Sequence, residues 1–209
     1  RLAASQLEMP KEPREVNREA LETHNWLREL HGCPPLQYSN RLAKNAQSYA
    51  EYLAKRNLFD HSECKNYGEN LIVRKGAEGI LLTGGQASFA WYSQSQNYDF
   101  SKNNDQGCGH FTQLIWKGTE KVGFGFARSK DKRSAYIVAH YYPPGNYEKD
   151  YKKNVPPPER GRVYKPTNMD LTGEKHVTSR PRCRSCKSKV YYFERRSTSH
   201  DPSSGRGRR

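Results

Sequence analysis

Apolar residues recur every three to four positions in the first quarter of the chain, which is the spacing of amphipathic helices. One stripe predicts a helix over residues 14–31, ended by Gly32 and the two prolines that follow. A second stripe predicts a helix that begins at an N-cap on Ser39 or Asn40 and ends near Asn57. The inward positions are Val16, Ala20, His24, Leu27, Leu30, Leu42, Ala43, Ala46, Tyr49, Ala50 and Leu53.

The second half of the chain changes to the alternation typical of strands. Residues 121–128 alternate valine and phenylalanine with glycine, which predicts a strand packed closely on a neighbour. Residues 135–142 follow a charged turn and predict its hairpin partner. Earlier, residues 67–73 predict a strand or the start of a helix, and residues 87–97 predict a helix after a glycine-rich loop at 76–85. Helices followed by a hairpin indicate an α+β domain.

A short helix carrying a histidine precedes the hairpin. In segment 109–116 a glycine comes before His110, and apolar residues then recur at helical spacing. Taken alone, such a histidine is more often a hydrogen-bonded core residue than a ligand. Three other segments in the chain change this interpretation. They are His61-Ser62 followed by Tyr67-Gly68-Glu69-Asn70-Leu71, then Trp91-Tyr92, then residues 136–147 with the sequence YIVAHYYPPGNY.

Taken in chain order, these three segments and the segment 109–116 resemble the signatures of the CAP superfamily. This superfamily includes cysteine-rich secretory proteins, venom antigen 5 and plant pathogenesis-related proteins. Because it has few cysteines, the chain looks most like the Golgi-associated group of plant pathogenesis-related proteins. The resemblance implies a three-layer α-β-α sandwich. We therefore expect a lead-in at 1–13, a CAP domain at 14–155, and a disordered basic tail at 156–209 that is rich in Pro, Ser and Arg.

The resemblance also implies a cleft holding two histidines and two acidic residues. The matching histidines are His61 and His110, and the first acid is Glu69, but Gln94 occupies the position of the second acid. Two imidazoles with a carboxylate and water can hold zinc, so His61 and His110 are the expected metal ligands. Binding should be weak and pH-sensitive, because the amide of Gln94 neither titrates nor binds zinc well. The alternative is a hydrogen-bonded cluster that shapes the cleft without metal.

Catalysis is less expected than binding. Ser62 adjoins His61, but adjacency in sequence does not make a triad, and the chain has no Gly-x-Ser-x-Gly elbow and no HExxH helix. A cysteine–histidine pair that uses Cys64 or Cys108 stays open. At residues 183–186 a single CxxC is half of a zinc site, for which a local disulfide or idle thiols are the better interpretation.

Charge is distributed unevenly over the chain. The net charge is +14. Residues 1–155 contain 22 basic and 17 acidic residues, whereas residues 156–209 contain 14 basic and 5 acidic residues, a net of +9. Such a tail suits anionic lipid surfaces or polyanions, or is solvated without a dedicated partner. Nucleic acid is not expected, because the tail lacks the spaced aromatics of a stacking platform. The aromatic run at 190–193 is either a docking element or a short run of no consequence.

The cysteines bear on the compartment. The chain has five, so at least one is unpaired within it. In the motif at 136–147, Ala139 stands where the CAP signature normally has a cysteine, which removes one bridge of the secreted relatives. Cys64 and Cys108 could still pair, but free thiols in a reducing compartment are favoured. We therefore favour a cytoplasmic, Golgi-membrane-associated location, with secretion as the alternative.

The predicted function is non-enzymatic binding. The resemblance implies lipid or sterol binding and association with anionic membranes, and members of this group often form homodimers. The basic tail supports the membrane part, because basic residues near an anionic surface each add about 1 kcal/mol. The alternative function is a secreted effector or a metal-dependent hydrolase of the venom-allergen-like type.

Overall fold

A five-stranded sheet forms the middle layer of the protein. The computed structural model describes residues 13–63, 66–173 and 189–192. The helices are α1 Pro13–Glu29, α2 Asn40–Arg56, α3 Gly84–Tyr92, α4 Gly109–Ile115, α5 Tyr151–Asn154 and α6 Asn168–Thr172, with a 3-10 helix at Ser93–Asn97. The strands are β1 Gln37–Tyr38, β2 Gly68–Lys75, β3 Lys121–Arg128, β4 Ser134–Tyr142 and β5 Lys189–Tyr192.

The strands lie in the order β1-β3-β4-β2-β5. β3 and β4 form the predicted antiparallel hairpin, and β1 runs parallel to β3. The segment after Tyr67 is a strand: β2 pairs antiparallel with β4 along its whole length, from Gly68 opposite Tyr141 to Lys75 opposite Ser134. This register places Glu69 directly opposite His140.

Both faces of the sheet are covered by helices. α2 packs against β3 and β4 on one face, whereas α1, α3 and α4 lie on the other. Successive residues of β2 serve the two sides: Leu71 and Val73 join the apolar cluster under α2, and Ile72 joins the larger cluster under α1 and α3. Because side chains alternate along a strand, a strand apolar at every position must be buried on both faces. The predicted three-layer α-β-α sandwich is confirmed.

Two glycines of β3 allow α2 to lie directly on the sheet. A Cβ at Gly123 would stand 2.1 Å from the backbone nitrogen of Ala43, and one at Gly125 would stand 2.3 Å from the backbone of Ala46. Real Cβ atoms do not approach other atoms so closely, so any side chain there would push α2 outward. The alternation of glycine with phenylalanine in this strand therefore determines the distance between helix and sheet.

A buried arginine connects α1 to the helix that carries His110. The Arg28 side chain donates through Nε to the carbonyl of Pro34 at 2.8 Å. Its two terminal nitrogens donate to the carbonyls of Leu114 and Trp116, at 3.0 and 2.9 Å, and of Thr119, at 3.2 Å. Three of these carbonyls belong to the end of α4 and the turn after it. Arg28 thus satisfies the last carbonyls of α4 and holds that helix in place.

Helix α3 begins earlier than its apolar pattern predicts. Residues 76–85 were expected to be a loop, but Gly84 and Gly85 belong to the first turn of α3. The reason is a capping box: the Thr83 side chain accepts from the backbone N–H of Gln86, whose side chain in turn accepts from the backbone N–H of Thr83.

Ordered structure continues past the predicted domain boundary at 155. The backbone N–H of Glu159 donates to Leu30 O at 3.0 Å, and the Tyr164 ring packs edge-on against Trp26 at 4.9 Å between centroids. α6 packs on α3, and the carbonyl of Leu171 accepts a hydrogen bond from Arg74. Residues 156–173 therefore correct our expectation that the tail begins at 156. The sequence pattern did not reveal this structure, because the few apolar residues of 156–173 have no period and each makes a separate contact with the domain.

Part of the predicted aromatic run at 190–193 lies in a strand. β5 pairs antiparallel with β2, with Val190 opposite Arg74 and Tyr192 opposite Ile72. The backbone of this short strand extends the sheet at the β2 edge. The CxxC at 183–186 and the remainder of the predicted tail lie outside the described residues.

Candidate functional site

His61 is carried by the loop that follows α2. The helix ends at Arg56, and Asn57 takes the left-handed conformation (φ 53°) that closes a helix C-terminus. The Tyr49 hydroxyl donates to the carbonyl of Asp60 at 2.7 Å and so holds the loop against the helix. These contacts place the His61 side chain, which is 10% exposed, at the start of β2.

Glu69 is the acceptor at the centre of the site. Its Oε1 accepts from His61 Nδ1 at 2.6 Å and from the backbone N–H of Ser62 at 2.9 Å. Its Oε2 accepts from His140 Nε2 at 3.0 Å. Burial alone would raise the pKa of Glu69, but the hydrogen bonds from His140, His61 and Ser62 outweigh burial and lower the pKa to about 2. Glu69 is therefore an ionised carboxylate whose oxygens are already engaged.

His140 is a site residue that sequence reasoning missed. It is fully buried on β4, and its ring stacks on Tyr67 with centroids 4.0 Å apart. In the sequence it is recognisable only as part of the motif at 136–147. A signal was present, because pairing β2 with β4 in antiparallel register brings Glu69 and His140 side by side on one face. The predicted pair of His61 and Glu69 is thus a triad that includes His140.

Gln94 and His110 form the second contact of the site. Gln94 lies in the 3-10 helix after α3, and its Oε1 accepts from the backbone N–H groups of His110 and Phe111, at 3.0 and 3.2 Å. These N–H groups open α4 and have no acceptor within the helix. The other end of the amide, Nε2, lies 3.0 Å from Nδ1 of His110. A side chain that was expected only to weaken a metal site thus also caps α4.

Asn70 connects the two halves of the site. It follows Glu69 on β2, and its side-chain nitrogen donates to the carbonyl of His110 at 3.0 Å and to the hydroxyl of Tyr141 at 3.1 Å. The four predicted residues thus form two contacting pairs, His61 with Glu69 and Gln94 with His110, joined through Asn70. The contacts at α4 are shielded from solvent, because His110 is 2% exposed and Phe111 is fully buried.

The donor set of this site suits a metal only in part. Among residues 13–63 and 66–173, no three His, Cys, Asp or Glu side chains are arranged to hold a metal ion. The Nδ1 of His61 faces a carboxylate, which is the usual partner of a metal-binding imidazole. The Nδ1 of His110 faces an amide nitrogen instead. A metal at the predicted ligands His61 and His110 would therefore meet one suitable ring and one unsuitable ring.

The buried thiols of Cys33 and Cys108 contact backbone carbonyls. Cys108 is the residue before α4, is buried, and directs Sγ toward the carbonyl of Gln94 at 3.4 Å. Cys33 is a free, buried thiol near the end of α1, and burial raises its pKa, which makes it less reactive. Cys64 lies outside the described residues, so the favoured reduced state and the alternative Cys64–Cys108 disulfide both stay predictions.

This three-layer α-β-α sandwich, in which Glu69 contacts both His61 and His140 beside the Gln94–His110 pair, matches a known family. The chain belongs to the CAP family, described as the cysteine-rich secretory protein family, whose model matches residues 21–141. It is therefore a CAP-domain protein of the pathogenesis-related and venom allergen-like kind.

Relatives from animals and plants cover most of the domain. The human Golgi-associated plant pathogenesis-related protein 1 is 36% identical over 153 residues, which is 70% of this chain and 96% of that protein. Pathogenesis-related protein 1A of Nicotiana tabacum is 37% identical over 131 residues, 61% of this chain and 74% of that protein. The structure of Schistosoma mansoni venom allergen-like protein 4 superposes with a TM-score of 0.51 at 24% identity, covering 70% of this chain and 97% of the other.

Proposed function

We propose that this protein is a non-enzymatic CAP-domain protein that binds a lipid or sterol and associates with anionic membrane surfaces, on the cytoplasmic side of the Golgi. The observation that carries the membrane part is the distribution of charge. Residues 174–209 contain 11 basic and 3 acidic residues, a net of +8, beyond the last helix of the domain. Because each basic residue near an anionic surface adds about 1 kcal/mol, a segment of this kind is sufficient for reversible attachment.

The surface of the domain supports the membrane part of this proposal. No described helix is long and apolar enough to cross a bilayer. At one end of the sheet, the exposed Tyr142 of β4 lies opposite the exposed Lys121 of β3, and the exposed Tyr38 lies on the neighbouring β1. Tyrosine and lysine together suit the boundary between headgroups and acyl chains. The similarity to a Golgi-associated relative favours the Golgi as the membrane.

The environment of Glu69 supports the non-enzymatic part. A general base works best when its pKa lies near the working pH. The pKa of Glu69 is lowered to about 2, and its oxygens already accept from His61, Ser62 and His140. Such a carboxylate is a weak base with little capacity for a substrate proton. Its arrangement suits an orienting role for the two histidines better than acid–base chemistry.

Vesicle flotation tests the membrane proposal. The full chain should float with vesicles that contain phosphatidylserine, and a chain ending at Gly173 should float much less. The cut is placed there, and not at 155, because residues 156–173 pack on the domain. It also removes β5, which pairs with β2, so a variant that keeps the full length is needed to isolate the effect of charge. A full-length variant in which the basic residues of 174–209 are changed to glutamine is the matched control, and raised salt should weaken binding of the wild type. Equal flotation of all three proteins would refute the role of this segment.

Ligand binding is tested separately on the full chain. Radiolabelled sterol and radiolabelled fatty acid are each titrated against the protein in the absence of vesicles. Saturable binding of either, retained by the chain ending at Gly173, would place the lipid site in the CAP domain. Absence of saturable binding of both would refute the lipid part of the proposal and leave the membrane part to stand on flotation.

A further inference from the structure

The orientation of the Gln94 amide is determined by its neighbours. Its oxygen accepts from the two N–H groups that open α4, those of His110 and Phe111. If the amide were rotated by half a turn, its NH₂ group would face these two donors, and both hydrogen bonds would be lost. The NH₂ end must therefore be the end that lies 3.0 Å from Nδ1 of His110. An amide NH₂ group can donate but cannot accept.

This orientation decides which nitrogen of His110 carries the proton. Because Nδ1 of His110 faces a donor, it must supply its lone pair, and the neutral ring then carries hydrogen on Nε2. His61 is in the opposite condition: its Nδ1 faces the carboxylate of Glu69 and donates to it, so Nε2 keeps the lone pair. The two cleft histidines are thus held in opposite tautomers, one by a carboxylate and the other by an amide.

We propose that Gln94 is a tautomer-setting residue, which makes Nε2 of His110 a hydrogen-bond donor and removes it as a metal ligand. A metal needs an imidazole nitrogen with a lone pair, and on His110 the only such nitrogen is directed at Gln94. To present Nε2 to a metal, the ring would have to move its proton to Nδ1, against the Gln94 NH₂ group. Rotating the amide to relieve that contact would remove the acceptor from His110 and Phe111 N–H.

The proposal disagrees with the metal site implied by the resemblance to the CAP superfamily, and the disagreement comes from one residue. A glutamate at position 94 would keep one oxygen on the N–H groups of α4 and turn the second, also an acceptor, toward Nδ1 of His110. The ring would then take the tautomer that His61 already has. Gln94→Glu is therefore expected to convert His110 from a donor to a ligand without moving the backbone of α4.

Long-range proton–nitrogen correlation spectra of the uniformly ¹⁵N-labelled full chain test the proposal directly. The wild type should show His110 protonated on Nε2 and His61 protonated on Nδ1, with assignments from the signals lost in His110→Gln and His61→Gln. In Gln94→Glu the proton of His110 should be found on Nδ1. Wild-type His110 protonated on Nδ1 would overturn the proposal, even if Gln94→Glu did not fold. So would an unchanged tautomer in folded Gln94→Glu.

Zinc calorimetry on the same proteins supplies a second measurement. Partners of a metal-binding histidine typically change affinity by about 10- to 100-fold, so Gln94→Glu should bind zinc more tightly than the wild type by such a factor. The matched control is Gln96→Glu, which adds the same charge two residues away, on an exposed side chain bonded to the carbonyl of Tyr164. It should bind zinc as the wild type does. Equal affinities of the wild type and Gln94→Glu would overturn the proposal, as would equal gains in both glutamate variants.

Discussion

Replacing Glu69 with glutamine should destabilise the protein in a manner that depends on pH. The side chain is 4% exposed and accepts hydrogen bonds from His61, His140 and the backbone of Ser62. Glutamine has nearly the same shape but only one acceptor oxygen, so its NH₂ group must face one of these donors. The amide thus imitates the protonated acid, and the variant should lose the stabilisation that the ionised carboxylate provides.

The magnitude follows from the pKa of Glu69. This pKa is lowered from 4.5 to about 2, because the three donors outweigh the effect of burial. Since the folded pKa lies below the unfolded one, the stabilisation is fully present above pH 4.5 and is lost as the pH falls through 2. The shift corresponds to about 3 kcal/mol at neutral pH and to roughly half of that at pH 3. The variant should remain folded, because the unfolding free energy of a typical domain is roughly 5–15 kcal/mol.

Urea unfolding of the wild type and Glu69→Gln, in the presence of a chelator, measures both values. The difference in unfolding free energy should be about 3 kcal/mol at pH 7 and about half as large at pH 3. Glu78→Gln is the matched control, because Glu78 is an exposed glutamate, and it should change stability little at either pH. A difference that stayed constant between pH 7 and pH 3 would refute the electrostatic argument and leave only a change of packing.

Three further changes have expected outcomes. Arg28→Met should lower the unfolding free energy by about 3–5 kcal/mol in urea titrations, because four carbonyls, three of them in buried hydrogen bonds, lose their donor. Gly125→Ala should lower it by about 1–3 kcal/mol, since the new Cβ would collide with the backbone of Ala46, whereas Gly109→Ala meets only ordinary contacts and should be tolerated. Burial lowers the pKa of His24 from 6.5 to about 3, so wild-type stability should fall as the pH decreases through this window, and His24→Gln should make that dependence shallower.

The α+β class was predictable from the sequence because the long helices and the hairpin repeat simple periods, whereas the three-layer sandwich was expected from the resemblance to the CAP superfamily. The two long helices have one apolar stripe each, and the glycine–phenylalanine alternation of 121–128 indicated a strand lying directly on another element. The segment at 156–173 carries no such period. It is held by single contacts, such as Tyr164 on Trp26 and the carbonyl of Leu171 on Arg74, between residues far apart in sequence. Long-range contacts of this kind leave no periodic signal, so the domain boundary was placed too early.

The candidate site was likewise predictable only in part. His61, Glu69, Gln94 and His110 could be named because each lies in a motif, but a motif does not specify which atoms of these residues meet. The structure supplies that information, and it changes the meaning of Gln94. From composition alone, glutamine for glutamate is the loss of one charge and one ligand. Because the N–H groups of α4 hold the oxygen of Gln94, its NH₂ group faces Nδ1 of His110 as a donor. The substitution thus reverses the role of the His110 ring from metal ligand to hydrogen-bond donor, although His110 itself is unchanged.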